Sequence, residues 1–282
     1  MDLDHLRWLA GETGGVAWLG ALPTLIADCV DRWSLRLATP YADAHVSFTA
    51  AATTPDGVVV VLKIQFPHPE CEHEGDALRR WDGDGAVRLL AEDPERHALL
   101  LEHCDPGVHL GTRPEIALDV MVDLLRRLAV SAAAPFRSLT AEAAMWVEHL
   151  GEPRRTVGVD PVLVDAAVGL LRELSPPTGD AVLLHQDLHG DNVLAATRAP
   201  WLAIDPKPLV GDRAFAVAPV VRSFELGDSR DDVLHRLDRL TADLGLDRER
   251  ARGWTVGQTI AWTGSGEHGA WCQQVARWLL ER

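Results

Sequence analysis

The spacing of apolar positions changes twice along the chain. Residues 15–33, GVAWLGALPTLIADCVDRW, carry apolar side chains at helical intervals and predict a helix, broken or started near Pro23. The stretches WSLRLATP, HVSFTAAATT and GVVVVLKIQF then predict three strands. Asp56-Gly57 between the last two marks a hairpin turn, so these form a small antiparallel sheet. EHEGDALRRW reads as a helix, and AVRLL and HALLLEHC as short apolar segments. From Glu115 the period is helical again: Ile116, Val120, Leu124 and Leu128 recur every four residues, and Met121 and Leu125 widen the stripe. Asp160-Pro161 supplies an N-cap and a first-turn proline for VLVDAAVGLLREL. After Asp231 the pattern stays helical, with Trp254, Trp262, Trp271 and Trp278 expected in the core. The reading is an α+β chain: a β-rich first third, a mainly helical remainder, a boundary near residues 101–107, and two lobes in contact.

Length and charge narrow this picture. A chain of 282 residues has room for about two domains. Its net charge of −15 repels phosphate backbones, which argues against a nucleic-acid partner and favours a cationic ligand. No apolar run reaches the ~18 residues of a membrane span, and MDLDHLRWLA lacks the basic-then-apolar start of a signal peptide. Cys29, Cys71, Cys104 and Cys272 are scattered and form no CxxC pair. Reduced thiols and a cytoplasmic location are expected.

One polar stretch interrupts the apolar pattern of the second half. HQDLHGDNVL, residues 185–194, lies between the predicted strands AVLLH and NVLAA, and WLAID follows at 201–205. Asp187, Asn192 and Asp205 can therefore converge where strands end. A D-x-x-x-x-N spacing with a later Asp is the pattern of a kinase catalytic loop. In that chemistry one carboxylate orients a hydroxyl and takes its proton, while an amide and a second carboxylate hold Mg²⁺. Asp187 is the candidate base, and Asn192 and Asp205 are the candidate metal ligands. Only two lysines occur, Lys63 and Lys207. Lys63, on the last predicted strand of the sheet, is placed to meet nucleotide phosphates. A carboxylate on the next helix must hold it, for which Glu74 is chosen, with Glu70 and Glu72 as rivals. Backbone groups near Glu102–Cys104 would bond an adenine ring.

H-x-D-L-H-x-x-N-V-L followed by I-D-P resembles the aminoglycoside phosphotransferase superfamily. WDGDGAVRLL (81–90) and WLAIDPKPLVGD (201–212) narrow the resemblance to its aminoglycoside/hydroxyurea kinase branch, which includes streptomycin 6-kinases. The resemblance implies a two-lobed, protein-kinase-like fold. A small antiparallel-sheet N-lobe would cover residues 1–100, a hinge 101–107, and a larger mainly helical C-lobe 108–282. ATP would lie between the lobes. It implies ATP and Mg²⁺ as cofactors and phosphorylation of a small-molecule hydroxyl, with Asp187 as base, Asn192 and Asp205 on the metal, and Lys63 and Glu74 as the phosphate-positioning pair. Two departures stand out: Gln186 replaces the usual glycine, and PYADAHVSFTA contains no glycine where a phosphate loop is expected.

Other readings compete with these. His185 and His189 are expected to tie loop carbonyls together rather than bind metal. CEHEGD and the group His103, Cys104, His109 lack zinc-site spacing. Lys207 is either a phosphate or substrate contact or part of a proline-braced surface turn. The tryptophans are core, with Trp254 or Trp262 as a possible pocket floor. Glu225, Asp228 and Glu267 are the candidates for a cationic substrate, with Glu267 preferred. Streptomycin-like aminocyclitols lead as acceptors, ahead of hydroxyurea, another antibiotic or a cellular sugar or amino sugar. A nucleotide-binding pseudokinase and a metal-dependent hydrolase are the alternatives of other classes. A monomer or weak dimer is expected.

Overall fold

The computed structural model describes residues 3–281 apart from Asp43, Thr178 and Asp180. Packing divides the chain into two compact units, Met1–Gly107 and Val108–Arg282.

In the first unit α1 (Gly15–Trp33) precedes strands β1 (Arg36–Pro40), β2 (Ser47–Thr53) and β3 (Val59–Gln65). After them come α2 (Glu74–Trp81), β4 (Leu89–Asp93) and β5 (Ala98–Glu102). The strands form one antiparallel sheet in the order β1-β2-β3-β5-β4. Its core is built by alternation. Phe48, Ala50 and Ala52 of β2, Val60, Leu62 and Ile64 of β3, and Ala98 and Leu100 of β5 pack with the α1 stripe Trp18, Leu22, Ile26 and Cys29. The intervening positions Lys63 and Gln65 consequently point to the other face. Asp56-Gly57 closes the β2–β3 hairpin, and Gly57 takes φ +86°, a value costly for any residue with a Cβ.

One expectation needs correction here. α1 is continuous through Pro23. The ring removes one helical hydrogen bond, but the buried stripe of Trp18, Leu22 and Ile26 spans it and holds the turns on the sheet. The AVRLL segment leads into β4, which begins at Leu89, and Ala86 and Val87 just before it are buried.

β6 (Pro106–His109) carries the chain into the second unit. There α3 (Pro114–Leu128), β7 (Arg137–Ser138), α4 (Leu139–Leu150) and α5 (Pro161–Leu174) precede β8 (Ala181–Leu184), β9 (Val193–Ala196), β10 (Trp201–Ala203) and β11 (Leu209–Asp212). α6 (Ala218–Val221), α7 (Arg230–Leu244), α8 (Arg248–Ala261) and α9 (Gly266–Leu280) complete it. β9 and β10 form an antiparallel hairpin, and β11 pairs with β8 and β7. The Asp160 carboxylate accepts a hydrogen bond from Val162 N–H and caps α5.

Of the four C-terminal tryptophans only Trp254 is fully buried, edge-on to Phe215 at 5.6 Å. Trp262, Trp271 and Trp278 are partly exposed. The Trp254 indole N–H donates to Asp212 Oδ2 at 2.8 Å, and Arg250 binds the same oxygen. Asp212 Oδ1 accepts from Ala214 N–H. The last residue of the IDPKPLVGD block therefore anchors the strand that leads away from the site. No helix among the described residues is long and apolar enough to cross a membrane.

Candidate phosphotransfer site

The polar stretch 185–194 is the link between β8 and β9, and many hydrogen bonds fix it. His185 Nε2–H donates to Ile204 O (2.9 Å), and His185 O accepts from Lys207 N–H (3.0 Å). Burial pushes the His185 imidazole down to about 4, against the pull of Asp187 and Asp205, so it stays neutral near pH 7. This is the structural role the sequence suggests. Gln186 sits at φ +67°, buried, where the related motif has glycine. Gln258 Nε2 of α8 donates to its carbonyl at 3.0 Å, and its own amide reaches Glu142 at 3.5 Å. Gln258 and Glu142 carried no local signal of this role in the sequence.

Asp187 follows. Its side chain is 13 % exposed, with Oδ2 at 2.8 Å from Lys207 Nζ and Oδ1 at 3.5 Å from Arg222 Nη2. Burial alone would raise its pKa, but the charges of Lys207, His189 and Arg222 outweigh burial and hold it well below the usual carboxylate range. Asn192 Nδ2 donates to Asp187 O at 2.9 Å, which commits the nitrogen and leaves the amide oxygen as its other polar atom. Ile204 N–H donates to Asn192 O at 3.0 Å, beside the Val193–Ala203 pair of the β9–β10 hairpin. Asp205 is the next residue after Ile204, with φ +55°. The hairpin thus brings Asn192 and Asp205 to the same end of two paired strands. An amide oxygen and a carboxylate are hard donors of the kind Mg²⁺ prefers, so this set fits the ion.

The far end of the loop is tied down as well. Gly190 N–H donates to Glu225 Oε1 at 2.7 Å, and His189 Nδ1 lies 3.5 Å from the same oxygen. Burial disfavours charge on both partners. Their mutual attraction overrides it, raising the His189 pKa and lowering that of Glu225 to about 2. Glu225 is therefore a loop anchor, already engaged, and not a solvated surface charge. His189, Asp191 and Glu225 place ligand atoms within 4.8 Å of one another. With two of them spent on each other and on Gly190, they make a poor cation site. Glu267, in the first turn of α9, and Asp228 are both solvent-exposed.

In the first unit, Lys63 Nζ lies 2.6 Å from Glu74 Oε2, and the two side chains are 6 % and 1 % exposed. Gln65 Nε2 donates to the same oxygen at 2.6 Å. Of the three glutamates weighed, Glu74 is the one that pairs; Glu72 is exposed and Glu70 lies beside His68. Glu102 ends β5, with its N–H on Arg88 O (2.9 Å) and its carboxylate accepting from Arg88 N–H (3.0 Å). The Cys104 side chain is buried. Gly107 sits at φ +67°, where a side chain is strained, and a Cβ there would lie a tight 3.0 Å from Cys104 O. In the glycine-free stretch, Tyr41 N–H donates to Thr49 O at 2.9 Å, while Asp43 lies outside the described residues.

The sequence reading missed Arg222 as a partner of Asp187 and left Lys207 undecided. Lys207 had a signal: it is one of two lysines and follows Asp205 by two residues. Arg222 had none, because nothing in the local sequence links the end of α6 to residue 187.

Comparison with known proteins places the chain in a family. Residues 32–276 match the model of the aminoglycoside/hydroxyurea antibiotic resistance kinase family. A streptomycin 6-kinase of Streptomyces griseus is 39 % identical over 261 residues, covering 89 % of this chain and 85 % of that protein. A hydroxyurea phosphotransferase of Kitasatospora aureofaciens is 40 % identical, covering 92 % of this chain and 77 % of that protein. The crystal structure of choline kinase LicA from Streptococcus pneumoniae superposes with a TM-score of 0.67 at 14 % identity, over 92 % of this chain and 98 % of that one. That likeness establishes a kinase-like fold, with an antiparallel sheet in the N-terminal part and helices in the C-terminal part. The chain belongs to the aminoglycoside/hydroxyurea antibiotic resistance kinase family.

Proposed function

We propose that the protein transfers the γ-phosphoryl group of ATP to a hydroxyl of a cationic aminocyclitol antibiotic of the streptomycin type. The observation that carries this reading is Asp187, a carboxylate kept ionised on a hydrogen-bonded loop beside Asn192 and Asp205. The relatives named streptomycin 6-kinase and the acidic net charge of −15 support the acceptor class.

Asp187 accepts the hydrogen bond of the acceptor hydroxyl and points its oxygen at phosphorus. With so low a pKa it takes the proton late, as suits a loose transition state in which the nucleophile needs aiming more than deprotonation. Asn192, through its amide oxygen, and Asp205 hold Mg²⁺, which supplies positive charge to the phosphates. Lys63, held by Glu74, offsets charge on the non-transferred phosphates. Backbone groups near Glu102 and Cys104 bond the adenine, and residues 101–107 serve as the hinge. Glu267 is offered as a contact for the cationic acceptor. The four cysteines are buried, and a cytoplasm that supplies ATP and keeps thiols reduced suits the proposed reaction.

The relative named hydroxyurea phosphotransferase favours hydroxyurea as a second acceptor. The test is acceptor-dependent ADP release from Mg-ATP by the full chain, with streptomycin and hydroxyurea in parallel and the phosphorylated product identified by ³¹P NMR. Streptomycin should give the higher kcat/KM. Phosphate release that ignores the acceptor would instead identify a hydrolase. Nucleotide-induced thermal stabilisation with no transfer to either compound would identify a pseudokinase.

A further inference from the structure

Asp187 has two cationic partners, although one would keep a carboxylate ionised. Lys207 Nζ contacts Oδ2 at 2.8 Å and Arg222 Nη2 lies 3.5 Å from Oδ1. Both cations also lie over the same aromatic ring: Lys207 Nζ is 5.0 Å and Arg222 Cζ 4.7 Å from the centre of Trp262. Two like charges on one indole repel each other, so this arrangement needs anionic charge between or beside them. Their backbones are fixed independently. Lys207 N–H donates to His185 O at 3.0 Å, and Arg222 O accepts from the Trp271 indole at 2.8 Å. Arg222 is the more enclosed side chain, 11 % exposed against 21 % for Lys207.

The reaction brings more negative charge to this spot. A hydroxyl oxygen held about 2.7 Å from the base and about 3–3.5 Å from phosphorus sets the transferred group within about 6 Å of Asp187 Oδ2. That distance is within reach of a lysine on its flexible four-carbon stem, whereas a planar guanidinium held by a ring and a carboxylate has less freedom.

We propose that Lys207 is a catalytic residue that moves from Asp187 to a peripheral oxygen of the transferred phosphoryl group, with Arg222 and Trp262 as positioning residues. The inference rests on the kinase reading above. As the acceptor O–P bond forms, the bond from phosphorus to the β,γ-bridging oxygen breaks and its electron pair leaves on ADP. The hydroxyl proton passes to Asp187. Lys207 keeps its three protons and only redirects its hydrogen bonds. Arg222 stays on Asp187 Oδ1, so the base keeps its aim while Lys207 is away. The gain is electrostatic and belongs to the transition state, because the part-buried ammonium meets the phosphoryl oxygen only as charge develops there.

The test compares binding of Mg-ADP with binding of Mg-ADP plus aluminium fluoride, a planar anionic mimic of the phosphoryl group, by calorimetry on the full chain. The wild type should bind the fluoride complex far more tightly than Mg-ADP. K207M should keep its Mg-ADP Kd within about threefold and lose about 100-fold of the fluoride gain, the loss typical of removing one such donor; K207R, which keeps the charge but not the flexible stem, should recover only part of it. In turnover the same loss should fall on kcat with both KM values little changed. If K207M does not fold, K207Q gives the same readout with a polar replacement. Retention of the fluoride gain in K207M overturns the proposal, and so does its loss in parallel with Mg-ADP affinity, which a merely structural lysine would give. A wild type that binds Mg-ADP but gains nothing from fluoride overturns the proposal alone. A wild type that binds no Mg-ADP overturns the kinase reading, and the proposal with it.

Discussion

The buried pair of Lys63 and Glu74 allows stability and activity to be separated by substitution. At 2.6 Å, with an effective dielectric of about 20, the attraction is about 6 kcal/mol, but removing both ions from water offsets most of it. The net worth of the pair is therefore small, whereas the cost of leaving one member alone is large. Lys63→Met strands a carboxylate that is 1 % exposed, with Gln65 Nε2 as a remaining donor, and should cost about 3–5 kcal/mol. Glu74→Leu should cost a similar amount by stranding the ammonium. The double variant K63M/E74L replaces both ions by apolar groups of similar size. It should return to within about 1–2 kcal/mol of wild type, the remaining cost being that the Gln65 amide loses its shorter acceptor and keeps only Cys71 O at 3.4 Å. Urea unfolding followed by circular dichroism gives the three values. Activity should not follow stability: two of the variants lack the proposed phosphate-facing cation and the third leaves it without the carboxylate that holds it, so all three should lose at least about 100-fold in kcat/KM for ATP. A double variant as unstable as the single ones would refute the buried-pair reasoning, and one that regained turnover would remove Lys63 from the phosphate site.

Further predictions concern the loop itself. The His185 pKa is depressed from 6.5 to about 4, so its contribution to stability is complete above pH 6.5 and is lost as pH falls from there toward 4. The loss should reach about 3 kcal/mol, and His185→Gln should flatten the stability profile in that window, as read from urea midpoints at stepped pH. Gly190→Ala would set a Cβ 2.7 Å from Gly111 Cα and 3.0 Å from Glu225 Oε1. Because the nearer obstacle is backbone, the loop must shift. Melting should show a loss of at least about 2 kcal/mol, and turnover should fall with it through displaced Asn192.

Much of the fold was legible because its signals are local. The β2–β3 hairpin follows from alternation and Asp56-Gly57, and α5 follows from the Asp160-Pro161 cap. α4 was overlooked although it also has a local signal, Ser138 capping Ala141 N–H ahead of the stripe Leu139, Ala143, Trp146 and Leu150. Pro23 misled the reading of α1 because helix propensity is weaker than burial of one apolar face on a sheet. In the candidate site, Asp187, Asn192 and Asp205 stand out in the sequence because their spacing is short and their residue types are specific. Arg222, Glu225 and Gln258 could not, since each reaches the loop through tertiary packing from α6 or beyond. Glu225 looked like any surface carboxylate until Gly190 and His189 were found on it.

The central claim is that Asp187 is the base of a phosphotransfer reaction. Its most direct test is Asp187→Asn, a near-isosteric change, measured by streptomycin-dependent ADP release from Mg-ATP alongside Mg-ADP affinity. The account predicts a fall in kcat of at least about 100-fold with Mg-ADP binding within a few-fold of wild type. Near-normal turnover in that variant would contradict it.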